Sequence, residues 1–192
     1  MFKEKQKHAA LIFDCDGTLV DSMPWHFKAW RTALNRYHIP FSEERFYALG
    51  GTPIKRIIEL LAEEAGQTVN VDTIAEEKER LYYSFIPEIK PRKMVIKIIK
   101  DNKGQIPMAV ASGSSRHSVT TTLKYLDILE WFNSIVCAED VEKHKPAPDI
   151  FLETAIRLGV TPERCLVYED SPLGIEAAHR AGMKAIDVRG FK

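Results

Sequence analysis

The sequence predicts an α/β protein: a three-layer core with a parallel sheet, interrupted after its first strand by a wholly helical insert. Three observations carry that expectation. The uncharged run Ala10-Leu11-Ile12-Phe13 empties into Asp14-Cys15-Asp16-Gly17, as a buried strand does at its exit turn. Residues 21–85 show helical stripes and no convincing strand. From Pro87 onward, short apolar runs alternate with helical stretches, the pattern of parallel strands covered on both faces. The expected division is 1–20 with 86–192 as the core and 21–85 as the insert.

Taken in order, the insert begins with a helix whose large residues recur at Met23, Phe27, Trp30, Leu34 and Tyr37, ended by His38-Ile39-Pro40. Ser42 is a good N-cap for a short helix carrying Glu43 and Glu44 in its first turn. Gly50-Gly51 breaks the chain, and Thr52 as N-cap with Pro53 at the first position starts a helix whose apolar face is Ile54, Ile57, Ile58, Leu61 and Ala65. A fourth helix spans about 72–85, with Ile74, Leu81, Tyr82 and Phe85 on one side. Beyond it, Met94 to Ile99 mark a helix closed by Asn102 and Gly104, and 107–111 a strand leaving through Ser112-Gly113-Ser114-Ser115. A helix follows at about 115–125, a strand at 134–138, a helix at 147–158 ended by Gly159, and a strand at 165–168. Ser171 caps a helix to Ala181, and 184–188 is the last strand.

Composition excludes several function classes. Lys plus Arg is 27 and Asp plus Glu is 27 in 192 residues, so there is no basic footprint for nucleic acid. The mixed run Glu76-Glu77-Lys78-Glu79-Arg80 reads as a solvated helix face. Cys15, Cys137 and Cys165 are far apart, form no metal-binding spacing and suit buried thiols in a reducing compartment. The charged start, 1–9, precedes an apolar run too short for a signal peptide or a membrane span. A cytoplasmic, monomeric protein without membrane or nucleic-acid partners is expected.

An open, Rossmann-like sheet binds ligands at the carboxyl ends of its strands. Here those ends carry Asp14 and Asp16, then Ser112, then Glu139 and Asp140, then Glu169 and Asp170, with Lys145 just before a helix. A dianionic phosphoryl group beside Asp14 and Asp170 would gather roughly four negative charges. A divalent cation, Lys145 and about half a charge from a helix N-terminus would balance them, and magnesium suits such hard oxygen donors beside a phosphate. A carboxylate can attack phosphorus, and Asp14, last on its strand, is the better fixed. Asp16 can protonate the leaving alkoxide and then deprotonate water. Taken alone, the same stretch also reads as an ordinary Asp-Gly turn.

Asp14-Cys15-Asp16-Gly17-Thr18 resembles the signature of the haloacid dehalogenase-like superfamily. Ser112-Gly113-Ser114 is similar to its second motif, Lys145-Pro146-Ala147-Pro148-Asp149 to its third and Glu169-Asp170-Ser171 to its fourth. The resemblance covers nearly the whole chain, and the four motifs occur in order at strand ends. It implies a phosphoric monoester hydrolase with Asp14 as nucleophile and Asp16 as general acid/base. Magnesium would be held by Asp14, the Asp16 backbone carbonyl and Asp170, with Glu169 as a further candidate. Ser112, Gly113 and Lys145 would hold the phosphoryl group, and the insert would be a cap that reads a small phosphate ester.

Within the superfamily, Asp21-Ser22-Met23-Pro24-Trp25-His26 and Lys28-Ala29-Trp30 resemble the cap entry of the β-phosphoglucomutase-like branch. His26, Gly51 and Thr52 are then substrate or cap contacts, although His26 reads equally as a packing residue. The loop Gly50-Gly51-Thr52-Pro53-Ile54 lacks the mutases' cations for a second phosphate. With His144-Lys145 it looks more like the fructose-1-phosphate phosphatase group, so hydrolysis of sugar phosphates is expected ahead of a hexose phosphate mutase. A catalytically silent binding protein is the third reading, disfavoured because every catalytic position is intact. Glu139 and Asp140 read as solvated loop carboxylates. Ser114 and Arg116 are as well explained by capping and solvent as by substrate. His8, His38, His117 and His179 read as surface, and Trp25 and Trp30 as insert core.

Overall fold

The computed structural model describes residues 8–191. The charged start read as lacking a signal segment lies outside the described residues up to position 7, as does Lys192. Five strands, β1 (Ala10–Phe13), β2 (Met108–Ala111), β3 (Ser134–Val136), β4 (Cys165–Glu169) and β5 (Lys184–Asp187), form one sheet in the order β3-β2-β1-β4-β5. Every pair is parallel. The order reverses at β1, which places a crevice beside its carboxyl end.

Alternation along β1 explains the layers. Ala10 and Ile12 join a cluster with Phe151 and Ala155 of α7 (Asp149–Leu158) and with Ala177 and Ala178 of α8 (Pro172–Arg180). Leu11 and Phe13 face the other way, against Val95 and Ile99 of α5 (Lys93–Asn102) and Val119 and Leu123 of α6 (Arg116–Tyr125). All four β1 residues are buried, which is why the run reads as apolar throughout instead of alternating with polar residues. The three-layer α/β fold expected from the sequence is the one observed.

Between β1 and β2 the chain forms α1 (Met23–Asn35), α2 (Glu43–Ala48), α3 (Ile54–Glu64) and α4 (Val71–Phe85), besides α5. These four helices gather a third cluster from Trp30, Leu34, Phe46, Ile58, Leu61 and Ile74. Ser42 caps α2 by accepting from the Arg45 amide at 3.1 Å. The start of α3 differs from expectation: Pro53, extended at ψ 142°, is the N-cap, and Thr52 makes no side-chain cap. Trp30 is insert core as expected, while Trp25 packs against Phe85 with ring centroids 5.4 Å apart.

The mixed-charge run on α4 is the clearest departure. Lys78 is only 2% exposed, so this is no solvated face at that position. Glu77 pairs with Arg36 and Glu79 with Lys78. His38, His117 and His179 are exposed, whereas His8 is half-buried. Among the described residues, no helix is long and apolar enough to cross a membrane.

Candidate active site

The turn after β1 is held from several sides. The Asp14 amide donates to the Tyr168 carbonyl at 3.0 Å, extending the β1–β4 pairing by one residue. The amides of Leu19 and Val20 both donate to the Cys15 carbonyl, and the Gly17 amide donates to the Val20 carbonyl at 2.8 Å. Gly17 has φ +83°, and a Cβ there would also run into the Asp170 carboxylate, so two independent constraints require glycine. Arg92 locks the turn from behind, donating to the carbonyls of Gly17 (2.8 Å) and Val188 (3.1 Å).

Lys145 ties three strand ends together. Its buried ammonium donates to Asp14 Oδ1 (2.7 Å), Glu169 Oε2 (3.1 Å) and the Ala111 carbonyl (3.3 Å), at the ends of β1, β4 and β2. Burial alone would lower the Lys145 ammonium, but Asp14 and Glu169 outweigh it and hold it above its ordinary value. Asp14 is pushed well above the usual carboxylate range by burial and then by Glu169, with Lys145 opposing. Asp170, which accepts from the Thr18 hydroxyl at 3.0 Å, is pushed up to about 6 by burial and then by Glu169.

Asp14, Glu169 and Asp170 bring carboxylate oxygens within 4.8 Å of one another, against one ammonium. Three such oxygens in partial burial, with two of the carboxyls strained toward their neutral forms, make a donor set that a hard divalent cation would satisfy. The residues therefore fit magnesium.

Asp16 is differently placed. Its Oδ1 accepts from Ser22 Oγ (2.6 Å) and contacts His26 Nε2 (3.0 Å) and the Tyr82 hydroxyl (3.5 Å), and its Oδ2 accepts from Ser114 Oγ (2.6 Å). Burial resists its ionisation, but His26 and the hydrogen bonds from His26, Ser114 and Ser22 hold it below its ordinary value. Lys78 Nζ lies 3.1 Å from His26 Nδ1. An ammonium only donates, so Nδ1 accepts and the imidazole proton sits on Nε2, aimed at Asp16. Burial and the adjacent Lys78 lower the proton affinity of this imidazole, against the opposing pull of Asp16 and Glu79.

The loop after β2 supplies Ser112, buried, whose hydroxyl accepts from the Ser114 amide at 3.1 Å, and Gly113. The insert meets this loop from above. Gly51, at φ +89°, leaves a Cβ only 3.4 Å from Lys145 Cβ, and a Cβ on Gly113 would lie 3.8 Å from the Gly51 backbone.

All ten expected site residues, Asp14, Asp16, His26, Gly51, Thr52, Ser112, Gly113, Lys145, Glu169 and Asp170, line one cavity of about 120 Å³. Its insert side is apolar, with Met23, Trp30, Phe46, Leu49, Ile54 and Ile57, apart from Thr52, His26 and Lys78. Ser114 lines the same cavity and gives its hydroxyl to Asp16, so it is not a helix cap. Arg116 does not line it: it pairs with Asp140, which Arg157 also holds at 2.9 Å. Glu139 accepts from the Arg116 amide at 2.9 Å. The pair expected as solvated loop carboxylates thus anchors the start of α6, where unpaired amides favour an acid.

Lys78 and Gly174 were not singled out from the sequence. A Cβ on Gly174 would fall inside the Glu169 carboxyl group. Gly174→Ala should therefore push Glu169 off Lys145 and off Ser171, to whose amide and hydroxyl it is bonded. The expected outcome is a stability loss of about 1–3 kcal/mol with at least roughly tenfold lower turnover, measured by thermal unfolding beside phosphate release.

The family follows from this frame and its matches. A family model described as haloacid dehalogenase-like hydrolase matches residues 11–188, and the chain belongs to that family; with phosphatases among its relatives, it is a phosphoric monoester hydrolase. The chain is 38% identical over 184 residues to the fructose-1-phosphate phosphatase YqaB of Escherichia coli (strain K12), covering 96% of this chain and 98% of that protein. It is 31% identical to the β-phosphoglucomutase of Bacillus subtilis (strain 168), covering 93% and 82%. The crystal structure of β-phosphoglucomutase from Clostridium difficile superposes with a TM-score of 0.85 at 28% identity, covering 94% of this chain and 84% of that one.

Proposed function

We propose that the protein is a magnesium-dependent phosphatase of small phosphate monoesters, sugar phosphates of the fructose-1-phosphate kind above all, working through an aspartyl-phosphate on Asp14. The observation that carries this reading is the asymmetry of the two aspartates. Asp14 is held by the one ammonium that also reaches β2 and β4. Asp16 is held by four side-chain groups, two from α1 or the residue before it, one from α4 and one from the β2 loop.

Asp14, Asp170 and the Asp16 carbonyl, with Glu169 beside them, would hold magnesium, which when bound neutralises charge on the phosphoryl oxygens. Lys145, the Ser112 hydroxyl and the Gly113 amide hold and orient the phosphoryl group. An Asp14 oxygen attacks phosphorus as the ester P–O bond breaks, and Asp16 gives its proton to the departing alkoxide. Asp16 then takes a proton from the water that attacks the aspartyl-phosphate, returning Asp14 as a carboxylate. Held ionised in this structure, Asp16 is set for the second step. The approach of a phosphate dianion raises its proton affinity for the first.

Residues 21–85 serve as a cap over the core of 1–20 and 86–192, excluding bulk water during transfer. The apolar insert side of the cavity supports hydrolysis over a mutase, because its one ammonium, Lys78, is already engaged by His26 and Glu79. Three buried free thiols suit a reducing compartment, which supports placing the enzyme in the cytoplasm.

Phosphate release from a panel of sugar phosphates tests the reading. Activity should vanish with chelator and return with magnesium. Interconversion of glucose 1- and 6-phosphates without net phosphate release would replace it by the mutase reading. Asp170 must lose its proton to bind the ion, so apparent magnesium affinity should rise from pH 5 to pH 7, in titrations at several pH values.

A further inference from the structure

Asp16 belongs to a closed ring of contacts that reaches well beyond its immediate neighbours. His26 touches Asp16, and Lys78 touches His26. Glu79 Oε1 accepts from Lys78 Nζ at 2.8 Å, and its Oε2 accepts from Tyr83 (2.8 Å) and from Ser115 Oγ (3.3 Å). Ser115 is bonded in sequence to Ser114, which donates back to Asp16. The ring thus crosses from α1 to α4, from α4 to the start of α6, and home through the β2 loop.

From this ring we propose that Glu79 is a positioning residue for Asp16, acting through Lys78 and His26; it rests on the reading of Asp16 as the acid that protonates the leaving group. The argument is one of charge. Lys78 is buried beneath the rings of Trp30 and Tyr82, and Glu79 is the carboxylate bonded to it. A buried ammonium that loses its counter-charge is left uncompensated, and its position is no longer fixed. Here that position matters because Lys78 sits on His26 Nδ1 and the same ring meets Asp16 through Nε2. Glu79 keeps Lys78 on Nδ1, so that the imidazole proton stays on Nε2 and points at Oδ1. Without it, Lys78 no longer holds Nδ1 as an acceptor, the imidazole proton is free to leave Nε2, and Asp16 loses the hydrogen bond that orients it. Ser115, anchored on the core side, sets where Glu79 holds Lys78.

The test separates steps that need a proton from those that do not. A sugar alkoxide must be protonated as its P–O bond breaks. Acetate leaves acetyl phosphate without a proton, and acetyl phosphate is small enough to ignore the shape of the cap. Glu79→Gln keeps acceptor and size but loses the charge. Its kcat/KM for the best sugar phosphate should fall about tenfold, a fraction of what general acid catalysis supplies, and by less than about twofold for acetyl phosphate. Tyr83→Phe, which removes one donor to Glu79 and leaves the charge, should show the same selectivity at about two- to threefold. Thermal unfolding checks that each variant is folded, and Tyr83→Phe carries the test if Glu79→Gln is not. Equal losses on both substrates, or none, would overturn the proposal. Asp16→Asn on the same two substrates separates the layers: if it too fails to discriminate, the acid role of Asp16 falls. If it discriminates while both other variants do not, Glu79 alone is misassigned.

Discussion

Asp14→Asn should abolish phosphate release from sugar phosphates, by about a thousandfold or more, because an amide oxygen cannot form the phospho-enzyme. The variant should nevertheless be folded and, without metal, at least as stable as the parent. The reason is the sign of the shift on Asp14. Burial and Glu169 push its carboxyl well above the ordinary range, so its charge opposes folding in the metal-free protein. Asparagine keeps an acceptor for Lys145 and removes that charge. Loss of turnover with an unchanged or raised melting temperature is the expected pair of results. Robust phosphate release by the variant would remove Asp14 from the nucleophile's role.

Lys145→Met should give the opposite pairing, with activity and stability lost together. Methionine has similar length but leaves Asp14 and Glu169 buried without their shared cation. Breaking a buried pair in this way costs about 3–5 kcal/mol, which at this chain length is a fall in melting temperature of roughly 6–20 °C. Turnover should drop at least about a hundredfold as the phosphoryl charge meets uncompensated carboxylates. Lys145→Arg should not rescue it, because the stem already lies against Gly51 and the ammonium against the Phe151 ring. A double variant with Asp14→Asn should lose less stability than Lys145→Met alone, since one of the stranded charges is gone. Thermal unfolding of the three proteins reads this directly.

These two residues were legible in the sequence because each stands where a buried strand or a strand–helix connection ends, and such ends converge. The sheet was legible for the same reason: each strand is a short apolar run bounded by polar residues and glycine. What escaped was the charged lining of the insert. Lys78 lies four residues after Ile74 and four before Tyr82, on the buried stripe of α4. The spacing was there to be read, but the neighbouring acids Glu76, Glu77 and Glu79 made a solvated face the natural reading. Burial of a lysine needs partners: Glu79 is the adjacent residue, but the other, His26, is 52 residues away, a separation no local pattern encodes. Gly174 escaped likewise. Its lack of a side chain matters only because Glu169 folds back over the first turn of α8. Arg116 sat between readings, and Asp140 read as a solvated loop carboxylate, until the structure put them together across the start of α6, clear of the cavity.

The place of β1 in the sheet also bears on how the protein is made. β1 is central, with β2 on one side and β4 on the other, yet of the five strands it is the first to leave the ribosome. Its partner Cys165 follows Ala10 by most of the chain's length. Until β4 emerges, a wholly apolar strand has one bare edge, the kind that recruits chaperones or pairs with another nascent chain. Asp14 and Asp16 meet Glu169 and Asp170 only when that edge is covered. Catalytic competence should therefore appear late and at once, which makes activity a sensitive gauge of completed folding in this enzyme.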